Sequence, residues 1–492
     1  DEFVALGGGN LVLVDYNPFD PLSVAQFYDS EFMFNIKDGF DIVIGNPPYG
    51  VSIKDDYRKK VIEYLGQVPD YEIYYFFIEL SYKFGKKNGI SSLIIPNTFL
   101  FNVYAKKFRE IMLEKYSIEY ILDCTSFKIF EKATVFNSIV LMKKNINDNK
   151  QVGYKPTKNI KNFNELILKE TMYLTKEEML DNIDNWSLAF RLDKDIISLV
   201  SKIKKNNKLI DYFPEISQGL IAYDKHRGQD EKTIKTRAFH HDNNINGEYK
   251  KWLLGENVQK YNIIWNEKEW IDYNNKIANP RNPKFFIGDR ILVREITNPS
   301  IFAALATEEM YHDPAIISIL SSNNFSLKTL LAILNSNFAK FYHFNTSPKA
   351  TKGAFPKILV NDIKNFPIPI VSKVEQKTFE IIVDYVIYIK KHLNNTNIDS
   401  YVSNEHISKQ FEDVIDAMVF ELYFKEEFIS KDIEFIRYVK EDFFSIEDLD
   451  DSLKEKIIRD SYLKLTESKN KIRNNLLLLP IEFDFIKTII WS

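Results

Sequence analysis

Asp41-Ile42-Val43-Ile44-Gly45-Asn46-Pro47-Pro48-Tyr49-Gly50 decides how this chain is read. The β-branched run Ile42 to Ile44 favours a buried strand. The strand runs into a glycine and then two prolines. Proline fixes φ and lacks an N–H, and the residue before a proline is pushed toward extended geometry. Asn46-Pro47-Pro48 therefore makes a stiff, extended loop at a strand's C-terminal end, where α/β sheets place their ligands. Asn46 offers a side-chain carbonyl, and Pro47 a backbone carbonyl free of helix or sheet obligations. Two acceptors held at a fixed angle suit an exocyclic –NH2 group, which has two protons to donate. Tyr49 adds a flat face for stacking.

Outward from this loop, apolar runs alternate with helical spacing. Phe40 to Ile44, Ile90 to Ile95, Tyr120 to Leu122 and Ser138 to Met142 read as strands, with helices predicted over Ile73 to Lys86 and Ala105 to Lys115. This alternation predicts a parallel α/β sheet with helices on both faces. Lys144 to Lys150 is polar and reads as a loop or weak boundary. Around Trp186 the style changes to short strands and Pro/Asn/Gly-rich loops such as Asn279-Pro280-Arg281-Asn282-Pro283. From Val374 amphipathic helices are predicted over 376–394, 404–423 and 451–474. The expected regions are therefore an α/β domain over 1–185, an irregular α+β domain over 186–372 and a helical region over 373–492.

Composition sets limits on function. The single cysteine, Cys124, excludes a disulfide framework and a cysteine zinc cluster, and fits a reducing cytosol. No apolar run approaches the roughly 20 residues that span a membrane. Aromatic residues make up 14%, which reflects either an Ile/Phe-rich proteome or surfaces that stack on bases. Net charge is −4, yet residues 201–300 carry 18 Lys/Arg against 13 Asp/Glu, while 421–460 carry 7 against 13. A local phosphate-binding face on an acidic whole is compatible with that distribution. Its candidates are Lys225, Arg227, Lys232, Lys235 and Arg237 on one basic stretch, with Arg290 and Arg294 beyond. His240-His241 has no accompanying cysteine or spaced carboxylate, and no metal site is expected there.

The Asn46 to Tyr49 unit resembles the Asn-Pro-Pro-Tyr catalytic motif of amino-group DNA methyltransferases. Leu6-Gly7-Gly8-Gly9-Asn10-Leu11 with Asp15, Pro18 and Phe19 is similar to the family's stretch ahead of that motif. Glu72 to Glu79 looks like the helix after it, with Glu72 where the family has Asp, and Gly89 to Asn97 resembles the next strand. Phe127 to Val135 resembles the segment whose aromatic faces a flipped adenine, which points to Phe130, or else Phe136. Five further stretches resemble the target-recognition domain of type IIG restriction–modification enzymes. They are Ile216 to Leu220, Trp252 to Val258, Asp289 to Ile296, Leu334-Asn335-Ser336 and Phe366 to Pro369. Asn404 to Phe424 resembles the helix that closes such enzymes.

The resemblance implies a partial Rossmann-like methyltransferase sheet, a target-recognition domain, a helical C-terminal region and double-stranded DNA as partner. It implies adenine-N6 methylation from S-adenosyl-L-methionine, with Asn46, Pro47 and Pro48 in the catalytic loop and Tyr49 and Phe130 stacking on the base. The glycine-rich cofactor loop of the family has no match before Asp41. The cofactor-binding half, and any fused nuclease, are expected upstream of Asp1, leaving Asn10 and Tyr74 as the only cofactor candidates within the chain. A phage-defence methyltransferase without a nuclease, and a specificity module that no longer catalyses, are the alternatives.

Overall fold

The computed structural model describes residues 20, 30–49, 55–65, 72–102, 105–125, 127, 129–130, 135–144, 151–155, 160–190, 194–244, 247–322, 324–347, 349–350, 356–393 and 397–491. The chain divides into two compact units, Asp1–Arg191 and Leu192–Ser492. The expected step at Trp186 thus falls inside the first unit. Trp186 is fully buried there, with its indole N–H donating to Met179 O at 2.9 Å. The expected boundary near 372 does not separate two cores, because the sheet and helices of the second unit share one.

In the first unit β1 (Phe40–Gly45), β2 (Gly85–Pro96), β3 (Ser117–Asp123), β4 (Asn137–Lys143), β5 (Val152–Lys155) and β6 (Met172–Leu174) form one sheet. Their order is β1-β2-β4-β3-β5-β6. β1 is parallel to β2 and β3 to β5, but β4 runs antiparallel to both β2 and β3. The sheet is mixed, where the sequence predicts a parallel one. A parallel return needs a crossover, usually a helix; β3 instead pairs in the antiparallel sense with β4, the next strand in sequence. The helices Tyr74–Phe84 and Lys106–Lys115 form close to where their spacing predicts. They pack on each other: Tyr75 meets Phe108 edge-on at 4.8 Å, and Lys115 Nζ reaches Glu79 at 2.7 Å. These two helices therefore share a face of the sheet.

β1 departs from expectation in burial. Ile42 and Ile44 are 61% and 79% exposed and, with Ile90 at 39% opposite Ile42 on doubly paired β2, lie on a face of the sheet left open among the described residues. β2, two strands in, buries alternate residues Gly89, Ser91, Leu93 and Ile95, the period expected of a pleated strand.

The second unit contributes β7 (Asn207–Lys208), β8 (Ile216–Gln218), β9 (His240–His241), β10 (Lys250–Leu253), β11 (Val258–Gln259), β12 (Asn262–Ile263), β13 (Trp270–Ile271), β14 (Arg290–Arg294), β15 (Ala303–Ala306), β16 (Tyr311–His312), β17 (Ile316–Leu320) and β18 (Pro367–Ile368). β15-β14-β17-β8 form an antiparallel sheet, and β16-β10-β13-β9 a second, smaller one. Behind the first lie helices Leu327–Asn335, Lys373–Lys391 and Asn404–Tyr423, whose buried aliphatics close the common core. Each buried Leu or Ile there contributes about 1.5–3 kcal/mol. Ser372 and Glu375 form a reciprocal capping box that starts the Lys373 helix. The helix expected over 451–474 is two, Asp451–Thr466 and Lys471–Glu482, because Asn470 caps the second through Arg473 N–H. Among the described residues, no helix is long and apolar enough to cross a membrane.

Candidate functional site

Asn46 to Tyr49 leave the C-terminal end of β1. Asn46 and Pro48 are exposed, Pro47 is buried, and Tyr49 is half-buried against the aromatic and aliphatic core of the unit. The Tyr49 hydroxyl donates to Asn46 Oδ1 at 3.2 Å. A carbonyl oxygen has two lone pairs, so that bond orients the carboxamide and leaves an acceptor direction open. No backbone N–H among the described residues donates to Pro47.

The topology brings other segments to the same sheet edge. β1, β2 and β3 all point the same way, so Pro96-Asn97 and Asp123-Cys124 leave the sheet at the same end as this loop, and antiparallel β4 starts there. Asn97 N–H donates to Phe136 O at 2.9 Å and Cys124 N–H to Asn137 O at 3.0 Å. The segment carrying Phe130 and Phe136 thus emerges on the edge that carries Asn46. Both rings are exposed, Phe130 at 36% and Phe136 at 48%. Lys128 and Glu131 to Thr134 of that segment lie outside the described residues, as do Leu6 to Leu11, Asp15, Pro18, Phe19 and Gly50.

One contributor is missing from the sequence reading. Asp123 is buried at the end of β3 and accepts from Thr125 N–H at 3.0 Å, from the Thr125 hydroxyl, and from Tyr154 O–H at 2.5 Å. It anchors the departure of the Phe130 segment. The signal was available as an Asp followed two residues later by Thr, an Asx-type turn. A second anchor is Arg109. It is fully buried and donates to the carbonyls of Phe99, Asn102, Ile183 and Asp184, tying the turn after β2 to the end of the unit. Burial pulls its guanidinium down to about 10, still charged at neutral pH.

Of the two cofactor candidates, Tyr74 does not present itself to a ligand. Tyr74 is fully buried, with its hydroxyl 3.3 Å from Thr98 Oγ1, and burial raises its pKa. Asn10 lies outside the described residues.

In the second unit, the five motif-like stretches are mostly structural. Gly219 passes so close to β16 that a Cβ there would sit 2.0 Å from Asp313 O. Asn257 accepts from Leu254 N–H at 2.7 Å and donates to Ile264 O at 2.8 Å. Asn335 pairs with both backbone groups of Ala303 at 3.0 Å, acting as an extra strand residue beside β15. Ser336 caps the next helix through Ala339 N–H, and Pro367 O accepts from Tyr423 O–H at 2.6 Å.

The basic candidates separate by burial. Arg290 corrects the sequence expectation: it is fully buried and donates to Gly288, Glu308 and Met310 carbonyls, so it is not a surface contact. Arg294 is half-buried with its guanidinium 5.0 Å from the Phe302 ring centroid, and Glu295 pairs with Lys357 instead. Lys225, Arg227, Lys232, Lys235 and Arg237 are all exposed. Lys235 pairs with Glu231 at 2.9 Å and Arg237 with Glu269 at 3.7 Å. His240 accepts from or donates to Tyr223 O–H at 2.8 Å, and burial lowers it to about 4, leaving it neutral. His241 stacks on Tyr249 at 4.1 Å. No group of three His, Cys, Asp or Glu forms a metal site among the described residues.

Against known proteins, residues 17–130 match the Eco57I restriction-modification methylase family and residues 250–368 the TaqI-like C-terminal specificity domain. The chain thus joins a segment that matches a restriction–modification methylase family to one that matches a TaqI-like specificity domain. It is 24% identical over 401 residues to a Methanocaldococcus jannaschii protein named for a type II restriction enzyme and methyltransferase. That match covers 79% of this chain and 32% of the relative, so the chain spans about a third of the relative's length. Type II methyltransferase M.BstVI of Geobacillus stearothermophilus is 32% identical over 108 residues, 21% of this chain and 19% of that protein. The type IIL restriction-modification enzyme MmeI, solved in complex with DNA, aligns with a TM-score of 0.48 at 11% identity, covering 81% of this chain and 57% of MmeI.

Proposed function

We propose that the intact protein transfers a methyl group to the N6 amine of adenine at specific sites in duplex DNA, as the modification activity of a type IIG restriction–modification enzyme. The observation that carries this reading is the exposed Asn46 carboxamide, oriented by Tyr49 on a loop stiffened by two prolines. Adenine N6 is a poor nucleophile because its lone pair is delocalised into the ring. Asn46 Oδ1 and the Pro47 carbonyl accept its two N–H bonds and favour a more tetrahedral nitrogen, whose lone pair is then free to attack. That is positioning and electrostatics with no obligatory charged base. A paired base cannot reach the loop, so the adenine leaves the stack, to be held by Tyr49 on one face and Phe130 on the other.

S-adenosyl-L-methionine supplies the electrophilic methyl group when bound. The steps assigned to this chain are capture and orientation of the base. The second unit reads the sequence, with its exposed lysines and arginines on the phosphates.

Mass spectrometry of nucleosides from plasmid DNA, recovered from cells expressing the full-length protein, tests this reading. N6-methyldeoxyadenosine with the native protein, and none with Asn46→Ala, is expected. N4-methyldeoxycytidine instead would move the target to the other base whose exocyclic amine fits two acceptors. Unmodified DNA would overturn the assignment.

A further inference from the structure

Two loops distant in sequence are locked together in the second unit by one side chain. Gln229 Nε2 donates to Ala222 O at 3.0 Å and to Lys276 O at 2.8 Å, while its Oε1 accepts from Asp224 N–H at 2.9 Å. Both amide protons and the carbonyl of Gln229 are thereby used. Arg227 Nη1 adds a bond to Ala278 O at 3.1 Å. The backbones pair as well, Ile221 N–H to Asn279 O at 3.0 Å and Asn279 N–H to Ile221 O at 2.9 Å. Beneath them Ala222 and Ile277 share one buried cluster with Leu220, Trp252 and Phe286. Each loop is also stiffened internally: Asp224 accepts from His226 N–H, and Asn274 from Lys276 N–H, both at 2.8 Å.

What the pair presents outward is basic. Lys225, His226 and Arg227 are exposed on one loop and Lys276 on the other. Of the nearby acids, Asp230 and Glu231 are exposed beyond the first loop and Glu231 pairs with Lys235, Asp224 lies 3.9 Å from Arg227, and Lys225 and Lys276 carry no ion pair among the described residues. Asp224 holds His226 N–H, and Asp272 accepts from Asn274 Nδ2 at 2.8 Å. A rigid rim with cations on two tips matches the repeating charge of a nucleic-acid backbone, and rigidity lowers the ordering cost of the contact.

We propose that residues 222–229 and 274–281 act as a single phosphate-gripping element for duplex DNA, with Lys225 and Lys276 as its contacts and Gln229 as the positioning residue that fixes their spacing. This rests on the DNA-reading role proposed above for the second unit. It adds Lys276, which lies far in sequence from the basic stretch, and gives the uncharged Gln229 a part in a charge-driven interaction.

The test is fluorescence anisotropy of the whole chain with a labelled mixed-sequence 30-base-pair duplex, measured across a potassium chloride series. Lys225→Gln and Lys276→Gln are each expected to flatten the slope of log affinity against log salt by about one unit. Gln229→Leu removes no charge yet is expected to lower affinity and flatten the slope as well. Lys431→Gln, whose native ammonium is paired with Glu482, is expected to leave the slope unchanged. A wild-type chain that binds no duplex at any salt concentration overturns the DNA-reading role itself. Wild-type binding with an unchanged slope in Lys276→Gln overturns the two-loop element alone. Should Gln229→Leu fail to fold, the two exposed lysines still decide the matter.

Discussion

Asn46 in the first unit and Asn335 in the second belong to equally motif-like stretches, yet the fold uses them in opposite ways. Asn46 is exposed, and its carboxamide meets the hydroxyl of a near neighbour. Asn335 is buried and saturates both backbone groups of Ala303. Arg290 repeats the second pattern with three carbonyls. A buried polar group must be satisfied locally and has little left for a ligand, whereas an exposed one held by a stiff backbone is ready to bind. In the first unit the recognisable residues carry the chemistry proposed above, with Asn46 exposed. In the second they are the frame, and the recognition proposed above falls to exposed residues on its loops.

That contrast breaks most readily at Arg290. Arg290→Leu strands three buried carbonyls, so chemical denaturation is expected to show a loss of about 3–5 kcal/mol in the second unit. A loss below about 0.5 kcal/mol would mean the arginine is not a pin. Asn335→Ala is expected to cost about 1–3 kcal/mol on the same measurement, from two hydrogen bonds lost beside β15.

A pH series sharpens the account of the frame. Burial raises the Glu421 carboxyl to about 7, despite its acceptance of Phe435 and Ile436 N–H at 2.7 and 2.9 Å. Its ordinary value is 4.5, so the folded state holds the proton more tightly. The stabilisation is complete below the ordinary value and is lost as pH rises from there through about 7. Gln accepts the same two N–H groups through one oxygen and does not titrate. Relative to wild type, Glu421→Gln is expected to gain stability from pH 5 to pH 7, by at most about 1.4 kcal/mol per unit. The buried His312 and His343, lowered to about 3 and 4, act in the opposite sense, losing stability as pH falls below their ordinary 6.5. Comparison with the single variant isolates the carboxyl from them.

At the exposed edge the effects on stability shrink and those on binding take over. Tyr49→Ala is expected to weaken capture of an extrahelical base by about 1–3 kcal/mol, read from 2-aminopurine fluorescence at the target position. Tyr49→Phe keeps the ring and loses only the bond to Asn46, so capture is expected to change by less than about 0.5 kcal/mol. Equal losses in the two variants would assign the effect to the hydroxyl and contradict stacking.

Much of the first unit was legible because strand and helix periods are local. The Asn46 loop was the most legible feature of all, since two prolines constrain the backbone whatever surrounds them. The direction of β4 was not, because strand polarity is set by which neighbour it pairs with. The exposure of Ile42 and Ile44 was hidden for a related reason: an apolar run reports what a residue prefers, not what covers its face of the sheet. Arg290 was misjudged because charge suggests a surface, while three carbonyls in the irregular stretches beside β14 and β16 give a buried guanidinium its partners. Gln229 was passed over because a strap between loops some 50 residues apart has no sequence period.

Single-turnover methylation by the full-length protein, wild type against Asn46→Ala, tests the central claim most directly when DNA affinity and thermal unfolding are measured on the same samples. The rate is expected to fall by about 10²–10³, as for loss of one positioned hydrogen-bonding partner at a reacting centre. Affinity and melting temperature are expected to stay at wild-type values, because Asn46 is exposed and most affinity comes from phosphate contacts. A wild-type rate in Asn46→Ala would reduce the Asn-Pro-Pro-Tyr loop to a turn and contradict the account.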